Sequence, residues 1–344
     1  MKKRDKILFA AGFVAMLAIG GGSLVGYQLL YRPVFDLKKE ARIYIDSDDT
    51  VDSVYHDLTH VANATALTGF KLLCILNGYK NDKVRTGCYT VQPGDNVRTV
   101  FKKLRDGLQT PVKLVLPSVR SLDRLAASIS RQLMVSAEEM KSLLSDSSYI
   151  AKYGYDQYTL PALFIPNTYE VYWNIAPKQL IERLVTENKR FWNEDRRMKA
   201  SYVGLTPHEV ATLASIVDEE TSNNREKPTI AGLYMNRLHK GMKLQADPTV
   251  KYAVGDFTLR RILYAHLEVE SPYNTYQCEG LPPGPIRIPS IIGIESVLNY
   301  EKHDYLYMCA HHDLSGIHLF SNNLREHLNN ANLYQQTLNK YRIK

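Results

Sequence analysis

Three consecutive acids, Asp218-Glu219-Glu220, close an apolar run, and what they can do depends on which way each one faces. Upstream, Leu205-Thr206-Pro207-His208-Glu209-Val210 has the make-up of a helix start. Thr206 can cap, Pro207 suits the first helical position, Glu209 completes a capping box, and Leu205 with Val210 forms a hydrophobic staple. The predicted helix runs from Pro207 to about Thr221. At about 100° per residue, Val210, Leu213, Ala214, Ile216 and Val217 share one arc, and Glu220 falls inside it. Asp218 and Glu219 fall on the opposite side and are expected to be solvated.

A carboxyl group held against apolar side chains loses hydration, which favours its neutral form and raises its pKa. The last turn of a helix, at the negative end of the dipole, pushes the same way. An acid that keeps its proton near neutral pH can donate it to a leaving oxygen, the step that glycosidic cleavage needs. The competing reading is a structural carboxylate paired with a buried cation such as Arg237.

Downstream come Asn236-Arg237-Leu238, Gly241-Met-Lys-Leu244-Gln245-Ala-Asp247-Pro248-Thr249-Val250, Pro272-Tyr273-Asn274-Thr275-Tyr276, Gly280-Leu281-Pro282-Pro283-Gly284-Pro285-Ile286, and His318-Leu-Phe320-Ser-Asn322-Asn323. Taken singly, Asp-Pro and Pro-Pro-Gly are ordinary turn punctuation. Gln245, Asn274, Tyr276 and Asn322 have the right chemistry to hold N-acetyl and hydroxyl groups, and are equally suited to bracing a loop. Taken together with the segment Ala214-Ser-Ile-Val-Asp-Glu-Glu220-Thr221, these blocks closely resemble the endolytic murein transglycosylase family, also called YceG-like. The resemblance covers most of the chain and is densest from Pro207 to Asn323.

That resemblance implies an enzyme anchored in the bacterial inner membrane, with the catalytic domain in the periplasm. Such an enzyme cleaves the β-1,4 bond after N-acetylmuramic acid within nascent glycan strands, leaves 1,6-anhydro ends and so limits strand length. It implies Glu220 as the catalytic acid, peptidoglycan as the partner, and no cofactor; it admits peptidoglycan synthases as protein partners. One departure is visible: the family often carries Pro-Asp-Thr-Tyr where this chain has Pro166-Asn167-Thr168-Tyr169. Asn167 cannot accept a proton and is left out of the catalytic set.

The elements that must position these residues begin with Lys2, Lys3, Arg4 and Lys6, followed by an apolar run from Ile7 to about Tyr31. Roughly 20 apolar residues span a ~30 Å hydrocarbon core. The basic cluster places the first end in the cytoplasm. Gly20-Gly-Gly-Ser23 leaves a cleaved signal as the alternative to a retained anchor. Next, Ile45 to Leu58 parallels Val91 to Leu104 at an offset of 46 residues (91 minus 45), each reading as strand, polar turn and amphipathic helix. The second copy, Tyr89-Thr-Val-Gln-Pro-Gly-Asp95, resembles the opening of glycan-binding LysM modules; such units are also common packing modules.

A strand at 112–116 and helices at 121–132 and 137–149 come next. A turn-rich stretch follows at 160–173, and then a long helical stretch to about 201. The fold class is α+β: an N-terminal transmembrane helix, LysM-like strand–helix units, then a mixed α/β catalytic domain. The expected divisions are a cytoplasmic tail at 1–6, an anchor at 7–31, the LysM-like region at 40–111 and the catalytic domain at 112–344.

Apolar residues make up 44% of the 344 and charged residues 23%, an ordinary globular balance. The 43 basic and 36 acidic residues leave a net +7, suited to an anionic wall or membrane surface; no nucleic-acid-binding pattern is present. Cys74, Cys88, Cys278 and Cys309 permit two disulfides (74–88 and 278–309) or four free thiols. Cys309, His311, His312 and His318 match no zinc spacing, so no metal is expected.

Two rival functions remain. A lysozyme-like hydrolase would need a second acid, for which Asp247 is the candidate. A non-catalytic wall-binding protein would use the repeat units alone. The wheel gives its own test: Glu220→Gln abolishes cleavage of purified glycan strands, whereas Asp218→Asn and Glu219→Gln keep most of it.

Overall fold

The structure is a computed structural model and describes residues 3–62, 64, 66–259 and 262–341. Met1 and Lys2 of the expected cytoplasmic tail, and the last three residues of the expected catalytic domain, lie outside them. Two compact units emerge: 1–114 with 170–175, and 115–169 with 176–344.

The first unit opens with α1 (Lys3–Leu30), 28 residues or about 42 Å of helix. Its segment Gly12–Leu30 has a mean hydropathy of 1.6 and is, among the described residues, the one helix long and apolar enough to cross a membrane. β1 (Ala41–Ile45) leads to α2 (Val51–Val61) and α3 (Thr68–Leu76); β2 (Gly87–Val91) then leads to α4 (Val97–Asp106). β1 and β2 pair antiparallel, from Ala41 opposite Val91 to Ile45 opposite Gly87. The polar turns of the two repeats act as caps: the Thr50 side chain accepts from Ser53 N, and that of Asn96 from Thr99 N. The two copies are therefore halves of one unit, because each strand supplies the hydrogen bonds that the other lacks. Ile43, Ile45, Val54, Leu58, Phe70, Tyr89, Val100, Phe101 and Leu104 fill its core. At Gly69 of α3, a Cβ would stand only 2.1 Å from the Leu29 carbonyl oxygen, so glycine permits that helix to meet the end of α1.

The chain changes unit in β3 (Val112–Val115) and again in β4 (Thr168–Val171). The second unit is mostly helical: α5 (Leu122–Ser130), α6 (Ala137–Ser145) and α7 (Ser147–Ala151), then α8 (Pro177–Phe191), α9 (Glu194–Tyr202), α10 (Pro207–Glu220), α11 (Lys227–His239), α12 (Asp247–Val254), α13 (Tyr264–Leu267) and α14 (Ile291–Leu298). A hairpin of β5 (Tyr307–Ala310) and β6 (His318–Ser321), paired antiparallel, precedes α15 (Leu324–Lys340). The fold is thus mixed, with strands only in pairs and helices supplying the bulk.

Two expected elements divide. The helical stretch to residue 201 breaks between α8 and α9, where the Asn193 side chain caps a new helix by accepting from Arg196 N. The stretch at 137–149 breaks at Asp146, which caps α7 through Ser148 N and Tyr149 N. α10 lies at the centre of the core, packed against α9, α11, α12 and α14.

All four cysteines are free thiols. Cys74 and Cys88 are buried, and burial pushes the Cys74 thiol up to about 11. A thiol-counting reagent without reductant should therefore find four groups in the unfolded chain and fewer, reacting slowly, in the native protein. Two or fewer after unfolding would mean that disulfides form.

Candidate active site

The capping box expected at the start of α10 is present: Thr206 Oγ1 accepts from Glu209 N at 3.3 Å and Glu209 Oε2 accepts from Thr206 N at 2.7 Å. From there the helix enters the core, and every residue from Val210 to Val217 is buried. The polar ones are satisfied internally: the Thr212 hydroxyl donates to His208 O, and that of Ser215 donates to Thr212 O and accepts from Ile286 N. A helix without a solvent face cannot sort its acids into wet and dry.

The expectation that Asp218 and Glu219 are solvated is accordingly wrong. Asp218 is almost fully buried against Lys227, with Nζ to Oδ1 at 2.7 Å. It also accepts from Ser290 N at 2.6 Å and Ser290 Oγ at 2.9 Å, at the N-terminus of α14. Gly293 permits this approach, since a Cβ there would lie 2.6 Å from the Asp218 carboxylate. Glu219 accepts both Arg120 Nε at 2.8 Å and Nη2 at 2.6 Å, and Arg287 Nη1 at 2.9 Å. Arg287 is held in turn by the backbone oxygen and hydroxyl of Ser118. The two acids thus tie the end of α10 to α11, to α14 and to the segment before α5.

Glu220 differs. It has no ion pair among the described residues; its one hydrogen bond is from the Tyr234 hydroxyl, at 2.5 Å to Oε1. Burial pushes its carboxyl up to about 7. The hydrogen bond from Tyr234 pulls down, the charge of Asp247 pushes up, and Lys251 and Arg237 pull down more weakly. Arg237, the alternative partner, is occupied elsewhere. Its Nε donates to Leu306 O at 2.7 Å and its Nη1 to Leu244 O at 2.6 Å, while the Tyr307 ring covers it. It joins α11 to the strand β5 and to the loop before α12.

Glu220 opens on a cleft of about 490 Å³. One side is formed by Tyr234, Arg237, Gln245, Asp247 and Tyr276, the other by Tyr307, Cys309, His318 and His327 of the hairpin and α15. Gln245 is exposed and adopts φ +51°, a left-handed conformation unusual outside glycine. Its side-chain oxygen lies 3.4 Å from Arg237 Nη1. The Tyr276 hydroxyl donates to Asp247 Oδ1 at 2.6 Å. Two of the four candidate binding residues, Gln245 and Tyr276, therefore line the cleft. Asn274 is fully buried, with its amide donating to Leu267 O and Val269 O and its oxygen accepting from Tyr276 N; it braces the loop that presents Tyr276. Asn322 is exposed just beyond β6 and accepts from Asn323 Nδ2, away from the cleft lining. Asn167 caps its own turn, with Oδ1 accepting from Thr168 N.

The sequence profile of the YceG-like family matches residues 43–333, most of the chain. The chain belongs to the YceG-like family. It is 28% identical to the endolytic murein transglycosylase of Bacillus subtilis, over 90% of this chain and 89% of that protein. It is 27% identical to the Streptococcus pneumoniae protein of the same name over 93% of this chain, and spans only 63% of that protein's length. Among solved structures, a YceG-like protein of Listeria monocytogenes superposes with a TM-score of 0.54 at 27% identity, covering 85% of this chain and 99% of that one.

Within this YceG-like chain, the cleft residues that sequence reasoning missed are Tyr234 and His327, and His318, named there only within a block and in a set matching no zinc spacing, also lines the cleft. Tyr234 stands three residues before Arg237, hence on the same face of α11, and that spacing was the available signal. His318 is anchored through its backbone N–H to Glu226 Oε1 at 2.7 Å, a contact that nothing local announces. Asp247, the candidate second acid of the hydrolase reading, lines the same cleft as Glu220 and its charge pushes the Glu220 carboxyl up.

Two stability measurements follow. Glu220 holds its proton up to about pH 7 when folded but ionises near its ordinary 4.5 when unfolded. Stability linked to it is full below about 4.5 and is lost as pH rises through 7. Glu220→Gln should therefore gain on wild type between pH 5 and pH 8, by on the order of 2 kcal/mol in urea unfolding. An unchanged difference would place the carboxyl in water. Asp218→Asn leaves Lys227 buried without its partner and should cost about 3–5 kcal/mol. Any activity that this variant keeps must be read at temperatures where it remains folded.

Proposed function

We propose that this chain is an endolytic lytic transglycosylase of peptidoglycan, with Glu220 as its proton-transfer residue. The observation that carries the reading is Glu220 itself: a carboxyl at a cleft, unpaired among the described residues, and held near neutrality by burial. Protonated, it donates to the oxygen between N-acetylmuramic acid and N-acetylglucosamine as the C1–O bond breaks. As carboxylate it then takes the proton of the muramoyl 6-hydroxyl, whose oxygen attacks C1 and closes the 1,6-anhydro ring. Glu220 ends protonated and no water is consumed. The internal nucleophile is already tethered to its target, an entropic advantage over water.

Gln245 and Tyr276, which line the cleft, contact the sugar, while Tyr307 and His327 stack on one another at 5.3 Å and form part of the wall. Helix α1 anchors the protein in the inner membrane, with the chain after Arg32 on the periplasmic side. The β1–β2 unit contacts glycan as a LysM-like element, and peptidoglycan synthases are suited as partners that deliver nascent strands. Among these, the apolar span of α1 and the relatives' shared name support the placement at the wall.

One observation favours a second reading. Asp247 faces the same cleft, so a two-carboxylate hydrolase is chemically possible. Digestion of purified strands in heavy-oxygen water separates the two. Lytic cleavage yields unlabelled 1,6-anhydromuramoyl ends, lighter by one water than hydrolytic ends. Label at the new muramic acid end would mean that water attacked. Activity should decline as pH rises through about 7, as the donated proton is lost from Glu220.

A further inference from the structure

Glu220 has two oxygens and only one of them is spoken for. Oε1 accepts from the Tyr234 hydroxyl at 2.5 Å, and Oε2 has no hydrogen bond to the described residues. Tyr234 sits in the middle of α11 and is almost fully buried, at 2% exposure. Its ring is fixed by the same core that fixes α10. A phenol donates one hydrogen bond, and here it is directed at a carboxyl that lines the cleft. We propose that Tyr234 is the positioning residue of this site: by occupying Oε1 it confines the transferable proton to Oε2, the oxygen left to face substrate.

The inference rests on the lytic reading for the identity of the two proton transfers, but the link itself concerns only α10 and α11. In the first step the proton on Oε2 goes to the leaving oxygen while the phenol stays on Oε1, where negative charge develops. In the second step Oε2 takes the 6-hydroxyl proton. One oxygen thus serves both transfers, and the carboxyl need not rotate between them. The phenol also stabilises the carboxylate that exists between the steps. The other groups that act on Glu220 are Arg237 from α11 and Asp247 and Lys251 from α12. Each acts through its charge alone, without a hydrogen bond to Oε1 or Oε2 among the described residues.

The test is Tyr234→Phe, which keeps the ring in the core and removes the donor. Losing the donor disfavours the carboxylate, so the basic limb of the pH–kcat profile should move up by about one unit, a tenfold change in the protonation equilibrium. At pH 6, kcat should fall about tenfold with KM within about twofold, because the oxygen is no longer oriented. Replacing Tyr234 with 3-fluorotyrosine, a stronger donor of nearly the same size, should move the limb the other way. The same midpoint, read without substrate from the pH dependence of urea unfolding against Glu220→Gln, should shift in parallel. A limb and an unfolding midpoint that move in neither variant would overturn the inference and leave Tyr234 as packing. Shifts that occur while the products carry label from heavy-oxygen water would keep the Tyr234–Glu220 link and remove the lytic reading instead.

Discussion

Three carboxylates at the C-terminal end of one buried helix set the terms for the second unit. The end of a helix dipole is negative, and the core offers little solvation, so each added charge there is unfavourable until it finds a partner. Asp218 finds Lys227 and the first turn of α14. Glu219 finds Arg120 and Arg287. These partners come from segments about 100 residues before and 70 residues after the helix, so satisfying the two acids is also what brings those segments together. Glu220 is left with a neutral phenol, and its charge, unlike theirs, is not neutralised by an ion pair. The contrast is chemically useful: two acids are spent on holding the third still.

The cleft is assembled with the same economy. Arg237 looks at first like the natural counter-ion for Glu220, yet its fork is used on the backbone oxygens of Leu306 and Leu244. A guanidinium spent in this way fastens the hairpin and the loop before α12 to α11 without neutralising the acid. Glu226 does a similar job on the other side, accepting from the Thr221 hydroxyl and from the backbone of His318. The walls are therefore fastened to the two helices that hold Glu220 and Tyr234, which suits the proton transfers proposed for Glu220.

In the first unit, the two repeat copies share one small sheet, since a lone strand of five residues leaves its backbone polar groups unpaired. Each copy keeps its own capped helix, and the apolar faces of both close over one core. The internal duplication is thus a feature of how the unit is built, quite apart from any ligand that it holds.

Much was determined by local chemistry. The α10 start with its Thr206–Glu209 box, the apolar span of α1, and the strand–turn–helix pattern of both repeats all rest on interactions within a few residues, which periodicity and capping rules capture. Helix breaks at Asn193 and Asp146 were harder to place, because a polar residue that caps one helix looks like a surface position of a longer one. What only the tertiary structure decided were the long-range pairings: Asp218 and Glu219 buried rather than wet, Arg237 on carbonyls rather than on Glu220, Asn274 in a loop while Tyr276 reaches the cleft, and Tyr234 on the Glu220 carboxyl. A helical wheel assumes that one side meets solvent. For a helix surrounded by four others that assumption fails, and which acid keeps its proton is settled by where distant cations come to rest.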